Sequence, residues 1–235
     1  MDYLNYTFKS TMSINEDGMD CFPNQKNKSN PITQPDCTPL QFINYPYGIN
    51  YSYNFRGFRD SEWPKDLSDV IWCLGDSFTL GLGAPFEHTW PSILQSQTKM
   101  RCINLGIDGA ANRLILNIAK QVISNYNPKY IAIMWSYRNR RYEDPWKFIH
   151  YDPLTTSHDD DKEFFDCFNS VNTLLPNIYH TTIPFTYPTY PSKTIFTYEQ
   201  IDTARDGFHF DYLTAETIVD SIIQHFNFKR YDNEV

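Results

Sequence analysis

The sequence lacks several features that would assign it to common protein classes. It has no apolar run approaching the ~20 residues that a membrane-spanning helix needs. Its first ten residues lack the basic start and apolar stretch of a signal peptide. With 20 Lys and Arg against 28 Asp and Glu, it also lacks the basic surface that binds nucleic acid through phosphates. We therefore expect a soluble, unexported, cytoplasmic protein that binds neither nucleic acid nor membrane.

Cysteine pairs are missing as well. The five cysteines are widely scattered, and no two of them have the C-x-x-C spacing of a zinc site or redox motif. An odd number of scattered cysteines also argues against a disulfide framework. We expect these thiols to be reduced and structural.

The chain does have the length and apolar content for one core. Its 235 residues, 41% of them apolar, fit one α/β domain with an extension better than two domains. Residues 1–45 are polar, rich in Asn, Gln, Ser and Pro, and show no sustained period, which predicts an N-terminal arm. Residues 46–235 are predicted to form the folded domain, and the aromatic stretch 45–58 is expected to anchor the arm.

From residue 69 onward, short apolar runs alternate with helical periods, which is the pattern of β-α-β units. The runs at 70–74, 101–105 and 130–135 predict parallel strands, the last of them central and buried on both faces. Segments 88–97, 114–126, 163–174 and 213–226 are predicted to be helices, and 178–185 to be extended. Together they predict a three-layer α/β/α sandwich with a mostly parallel sheet.

The loop after the first predicted strand carries a candidate nucleophile. Residues 75–83 spell G-D-S-F-T-L-G-L-G, which places Ser77 on a strand-to-helix turn where glycines permit unusual backbone angles. The segment has no P-loop lysine and matches neither G-x-G-x-x-G nor G-x-S-x-G. A glycine-rich anion loop is the alternative interpretation.

A candidate base lies near the carboxyl end of the chain. Asp206 precedes His209 by three residues, just before the last predicted helix. At this spacing the carboxylate can accept the Nδ1 proton and leave Nε2 facing a serine, as general-base activation requires. A surface Asp-Gly turn followed by an incidental histidine is the alternative. The other histidines, at 88, 150, 158, 180 and 225, are expected to be structural or solvated.

The turn after the second predicted strand, N-L-G-I-D-G, ends at Gly109. A glycine here can present its backbone N–H toward a developing oxyanion. An ordinary β-α turn explains the segment equally well.

In this order, the three motifs resemble those of the SGNH (GDSL-type) hydrolases, with G-D-S first, N-x-G-x-x-G second and D-x-x-H last. Upstream, Asn54–Asp60 (N-F-R-G-F-R-D) is similar to the lead-in found in many bacterial and phage SGNH proteins. The resemblance covers about residues 54–225. It implies a flavodoxin-like sheet and a serine esterase or deacylase that needs no metal and no cofactor.

The resemblance also implies residue roles. Ser77 would attack an acyl carbonyl, His209 would accept its proton, and Asp206 would hold the imidazole tautomer. The backbone N–H groups of Ser77 and Gly109 would be the first two oxyanion donors. We expect the substrate to carry a small acyl group, acetyl above all, on a polar molecule such as a saccharide.

The family has a further motif, third in chain order, between N-x-G-x-x-G and D-x-x-H, and this third motif departs from the family sequence here. Where SGNH hydrolases have G-x-N-D after the central strand, residues 135–141 are W-S-Y-R-N-R-R. The third oxyanion donor could be Asn139, which offers an amide, or Arg138, which lies nearer the usual position. These arginines could instead form a solvated cluster or bind a carboxylate such as Glu143.

Two other functions stay open at this stage. The altered third motif favours a non-catalytic structural or binding protein on the same scaffold, such as a phage virion component that uses its arm for assembly. Transfer of the acyl group to a sugar hydroxyl would use the same serine, histidine and aspartate. The oligomeric state is open. Asp159, Asp160 and Asp161 are expected to form a solvated turn rather than a cation site.

Overall fold

The structure is a computed structural model that describes residues 2–4, 18–20, 49–144, 147–149, 158–184, 195–204 and 208–231. Its strands, in chain order, are β1 Gly18–Asp20, β2 Ile49–Tyr51, β3 Ile71–Gly75, β4 Cys102–Gly106, β5 Tyr130–Trp135, β6 Arg141–Asp144, β7 Lys147–Ile149, β8 Ile178–Thr182 and β9 Ile195–Phe196. Its α-helices are α1 Ser77–Leu80, α2 Trp90–Thr98, α3 Asn112–Tyr126, α4 His158–Leu174 and α5 Tyr212–Phe226, and a 3₁₀ turn covers Phe86–His88.

The main sheet has five strands in the order β4-β3-β5-β8-β9, and all its neighbouring strands are parallel. Numbered among themselves along the chain, these strands run 2-1-3-4-5, which is the flavodoxin-like order. β5 is the middle strand, as its nearly all-apolar sequence predicts. The predicted α/β class and parallel sheet are therefore confirmed.

Helices cover both faces of this sheet. Trp72 and Leu74 of β3 point to the face that α3 and α4 cover, whereas Ile71 and Cys73 point to the face covered by α2 and α5. The alternation follows from the two-residue period of a strand. Since each strand buries both faces, the sheet reads as continuous apolar runs, and the molecule has three layers.

The helices follow the predicted apolar positions. On α3, the buried residues include Leu114, Ile115, Ile118 and Val122, spaced three and four apart. The helix ends at Tyr126, and the left-handed Asn127 then closes it before Pro128. Helix α5 likewise buries Ala215, Ile218, Val219 and Ile222.

The described parts of the extension pack on the domain. Leu4 is buried in the core beside α3, and its carbonyl accepts a hydrogen bond from Arg56 Nη1. Strand β1 pairs antiparallel with β2, so that Gly18 lies opposite Tyr51. Both contacts join described residues of the extension to residues beyond 45. The domain boundary at residue 45 stays a prediction.

Helix α4 begins five residues earlier than the sequence pattern predicts, at His158 rather than 163. Its first turn contains Asp159, Asp160 and Asp161, which suits the positive end of the helix dipole. Asp160 is buried and Asp161 pairs with Arg138. The prediction of a solvated turn was therefore wrong for the buried Asp160, and all three acids lie on a helix rather than in a turn.

Among the described cysteines, Cys73, Cys102 and Cys167 are buried free thiols. Burial raises the pKa of Cys73 well above its usual range and that of Cys167 to about 11, so both thiols stay protonated. Within the described ranges, no helix has the length and apolar character needed to cross a membrane.

His180 is a core histidine that stays neutral. Trp135 Nε1 donates to its Nδ1 at 3.2 Å, and its Nε2 lies 3.0 Å from Asn172 Oδ1, which places the proton on Nε2. Burial, and secondarily the charge of His225, lowers the pKa of His180 to about 3. It is one of the histidines expected to be structural, and its contacts agree with that role.

We predict that His180 makes the protein less stable in acid. The unfolded chain binds a proton here below pH ~6.5, whereas the folded chain does so only near pH 3. The free energy of unfolding should therefore fall by up to ~1.4 kcal/mol per pH unit below pH ~6. Urea unfolding followed by tryptophan fluorescence at pH 7, 6 and 5 measures this slope. His180→Gln should show a smaller slope, and equal slopes in the two proteins would contradict the prediction.

Candidate functional site

The three loops singled out by sequence meet at one edge of the sheet. The connection from β3 to β4 runs through α2 on one face, and the connection from β4 to β5 runs through α3 on the other. The connections therefore diverge between β3 and β5. Ligands of open α/β sheets bind at this switch point, beyond the carboxyl ends of the strands.

Ser77 follows β3 directly and is the first residue of α1. Asp76 caps this helix, because its Oδ1 accepts a hydrogen bond from Phe78 N at 3.1 Å. Gly81 ends the helix with a φ of 80°, in the left-handed region where a side chain is strained. The serine thus stands where the N-terminal amides of a helix face the end of the sheet.

The structure brings His209 to Ser77 across 132 positions of sequence, with Nε2 2.8 Å from Oγ. Both residues are buried, with 5% of His209 and 3% of Ser77 exposed. The ring of Phe78 packs against His209 at 4.4 Å and against Phe210 at 5.4 Å, which holds the segment before α5 in place. Asp206 lies outside the described residues.

Two other acids near His209 have partners of their own. Asp211 Oδ1 lies 2.9 Å from His88 Nδ1, and burial raises the pKa of Asp211 to about 6 and lowers the pKa of His88. Asp202 accepts hydrogen bonds from Leu213 N at 2.7 Å and Thr214 N at 3.1 Å, and so caps the start of α5.

Glycines let α1 pack directly on the strand ends. A Cβ on Gly106 would lie 2.2 Å from the backbone N of Leu80 and 2.7 Å from its Cα. A Cβ on Gly75 would lie 2.0 Å from Thr79 Oγ1. Real Cβ atoms do not approach other atoms this closely, so the helix that carries Ser77 can sit here only because both strands end in glycine.

The lead-in motif supports the far end of α1. The buried guanidinium of Arg59 donates from Nη1 to the carbonyls of Leu80 and Gly81, and from Nη2 to Ala84 O at 2.9 Å. It also lies 4.1 Å from the centre of the Tyr51 ring. These bonds satisfy carbonyls that the end of a helix leaves without partners.

Asp60, the last residue of the motif, supports β4 by accepting a hydrogen bond from its backbone. Its Oδ2 accepts from Asn104 N at 3.1 Å and pairs with Arg101 at 2.8 Å. Asn104 in turn donates to Thr79 O at 3.1 Å. The lead-in is therefore structural support for the turns on either side of Ser77.

The second turn places Gly109 at a φ of 71°, a conformation that favours glycine. The next helix, α3, starts at Asn112, whose side chain accepts from Ser136 N at 2.8 Å and donates to Ser136 O at 3.2 Å. The end of β5 is thereby tied to the start of α3.

The third loop separates its two candidate donors. Arg138 is paired with Asp161 on α4, whereas Asn139 is buried, with 3% of its surface exposed. Arg140, which the sequence pattern does not single out, reaches Asp76, the neighbour of Ser77, with Nη1 2.9 Å from Oδ2. Ser136 also binds Asp76, at 2.6 Å. The side chain of Glu143 is outside the described part of the chain.

Across the described residues, no group of three or more His, Cys, Asp or Glu side chains could hold a metal ion. The reactive groups on hand are a hydroxyl, an imidazole and helix amides.

No protein-family model matches the sequence, and no curated protein matches it. Solved structures do match. One is the psychrotrophic esterase EstA from Pseudoalteromonas sp., at 14% identity and a TM-score of 0.47 over 68% of this chain and 97% of that one. Another is AlinE4, an SGNH-hydrolase family esterase, at 14% identity and a TM-score of 0.37 over 71% of this chain and 76% of that one.

A third is a family two carbohydrate esterase from Clostridium thermocellum, solved with cellohexaose. It has 14% identity and a TM-score of 0.46, over 71% of this chain and 67% of that one. The SGNH and G-D-S-L names among the matches are those of the family that the motifs resemble.

We predict that Gly106→Ala displaces α1. The added methyl meets backbone rather than a flexible side chain, so α1 and Ser77 must shift together. Overpacking of this kind costs about 1–3 kcal/mol, and labelling of Ser77 by a fluorophosphonate should slow by ~10-fold or more, since misplacement by an ångström is costly in catalysis. The core variant Ile222→Val on α5 serves as the control for lost stability. A Gly106→Ala protein that labels at the wild-type rate would contradict the prediction.

Proposed function

We propose that the protein is a serine esterase of the SGNH type, which removes a small acyl group from a polar substrate through an acyl-enzyme. The observation that carries this proposal is the 2.8 Å contact between His209 Nε2 and Ser77 Oγ at the switch point of the sheet. A nucleophile and a base within hydrogen-bond distance, on separate elements, is the arrangement that acyl transfer requires.

The reaction would proceed in two halves. His209 Nε2 takes the hydroxyl proton as Ser77 Oγ bonds to the acyl carbonyl carbon, and the tetrahedral intermediate then expels the alcohol, which receives that proton from His209. In the second half, water gives a proton to His209 and attacks the acyl-enzyme. The proton returns to Ser77 Oγ as the carboxylic acid leaves.

Asp206 is the proposed partner of His209 Nδ1. The D-x-x-H spacing supports this assignment. The two other acids near His209 also support it, because each makes its own contacts. Asp211 contacts His88, and Asp202 caps α5. A carboxylate at Nδ1 would keep the proton there and leave Nε2 to accept from the serine.

The oxyanion donors are proposed to be the N–H groups of Ser77 and Gly109 and the amide of Asn139. Ser77 is the first residue of α1, so its N–H belongs to the positive end of that helix. For the third donor we favour Asn139 over Arg138, because Arg138 is paired with Asp161 on α4.

The substrate is proposed to be an acetyl ester of a polar molecule, with saccharides as the leading class. Phe208, the neighbour of His209, packs against Phe78 at 5.8 Å and remains 42% exposed. Tyr212, three residues after His209, is also exposed and packs on His88. Exposed rings near a reactive serine can stack on the flat faces of sugars.

Ser77→Ala and His209→Ala should each lower the hydrolysis of p-nitrophenyl acetate by at least ~1,000-fold, because the serine and histidine act as a unit. A fluorophosphonate should add once to the wild type, at Ser77, and not to Ser77→Ala, as measured by intact mass. Ser124→Ala and His225→Ala, on exposed positions of α3 and α5, are the matched controls.

Retained turnover in folded Ser77→Ala would reject the nucleophile. A folded wild type with neither turnover nor label would favour the non-catalytic scaffold. The rate of acetate release from acetylated cello-oligosaccharides, compared with the rate of p-nitrophenyl butyrate hydrolysis, tests the substrate class. Added sugar acceptors test acyl transfer, since transfer would move the acetyl group to the acceptor.

Asn139→Ala should lower kcat by ~100-fold at nearly unchanged KM, which is the typical effect of losing one oxyanion donor. Arg138→Ala should cost much less, because it removes an ion pair with α4 rather than a donor. Steady-state kinetics on one acetate ester measure both. The reverse ranking would assign the third donor to Arg138.

A further inference from the structure

A buried carboxylate lies directly beside the nucleophile. Asp76 precedes Ser77, its side chain is fully buried, and its Oδ1 caps α1 through Phe78 N. Its Oδ2 accepts hydrogen bonds from Ser136 Oγ at 2.6 Å and from Arg140 Nη1 at 2.9 Å. A buried charge of this kind is stable only when it is paired and hydrogen-bonded.

One nitrogen of Arg140 joins the three loops of the site. Its Nη1 contacts Asp76 in the nucleophile turn, Ser136 Oγ after β5 at 2.8 Å, and Ala110 O in the Gly109 turn at 3.4 Å. The side chain is only 10% exposed, and its guanidinium lies 5.1 Å from the centre of the Tyr137 ring. Each loop carries one of the proposed oxyanion donors.

The charge of Asp76 matters for the reaction. During acyl transfer a negative charge develops near the N–H of Ser77, one residue from the Asp76 carboxylate. In a water-excluded site two negative charges a few ångströms apart repel strongly, because the effective dielectric constant is far below that of water. The guanidinium of Arg140 offsets the first charge before the second one forms.

Resting on the proposed esterase function, we propose that Arg140 is a positioning residue that neutralises Asp76 and holds the three oxyanion loops in register. This role differs from that of an oxyanion donor, since Arg140 binds Asp76, Ser136 and Ala110 rather than substrate. Ser136 and Arg140 of the third motif bind the same carboxylate oxygen of Asp76, so this role accounts for both residues.

Three variants separate charge from shape. Arg140→Gln removes the positive charge and should lower kcat on an acetate ester by ~30–100-fold with KM changed less than ~3-fold, as expected for a loss confined to the transition state. Arg140→Lys should keep activity within ~5-fold of the wild type, because all three contacts are made by one nitrogen, which an ammonium can replace. Asp76→Asn combined with Arg140→Gln removes both charges and should recover ~10-fold over Arg140→Gln alone.

Arg113→Gln is the matched control, since it also removes one guanidinium and one ion pair, here with Glu163 of α4 at 3.2 Å. Circular dichroism and thermal unfolding establish that each variant is folded, and if Arg140→Gln is not, the lysine and double variants decide the question. Wild-type activity in Arg140→Gln would overturn the role proposed for Arg140. So would a double variant no more active than Arg140→Gln. Neither result would affect the esterase proposal. A wild type without turnover or Ser77 label would reject the esterase function and this role with it.

Discussion

The site depends on the close approach of a four-residue helix to the ends of two parallel strands. Helix α1 touches the last residue of β4 so closely that a single methyl on Gly106 would overlap the backbone of Leu80. This contact puts the first turn of α1, with its unsatisfied amides, above the sheet where His209 can reach Ser77. A larger residue at either strand end would displace the helix and move Ser77 away from His209.

Polar groups buried around this helix are satisfied by several distant parts of the chain. Arg59 donates hydrogen bonds to the carbonyls at its far end, Asp60 accepts one from the neighbouring strand, and Ser136 and Arg140 bind the capping carboxylate of Asp76. Because each of these groups would be costly to leave unpaired in the interior, the loops have one low-energy arrangement. If the proposed esterase function holds, the oxyanion donors of such a site are already in place before substrate binds, which is what electrostatic stabilisation of a transition state requires.

The sequence predicts the fold well where a pattern is local. The apolar strands β3 to β5 and the periodic helices α3 and α5 lie within a few residues of their predicted positions, because two-residue and 3.6-residue periods are set by the backbone itself. The turn containing Ser77 also meets the segment before α5, at the end of the sheet where strand order predicts a site.

Long side chains were less predictable. Whether Arg138, Arg140 or neither faces the serine depends on how the loop after β5 bends, and nothing in W-S-Y-R-N-R-R sets that bend. Arg140 finds its partner 64 positions away. The start of α4 was missed for a related reason: its acidic first turn lacks apolar residues, and the pairing of Asp161 with Arg138 is tertiary.

Tyr51 lies between the first strand of the extension and the segment that contains Ser77. Its strand pairs with Gly18–Asp20, its ring covers Arg59, and its hydroxyl accepts a hydrogen bond from Gly83 N at 2.8 Å. Arg59 in turn binds the last carbonyls of α1. One aromatic ring and one guanidinium therefore connect strand Gly18–Asp20 to the helix that carries Ser77, so a change in the pairing of that strand would alter the support of this helix.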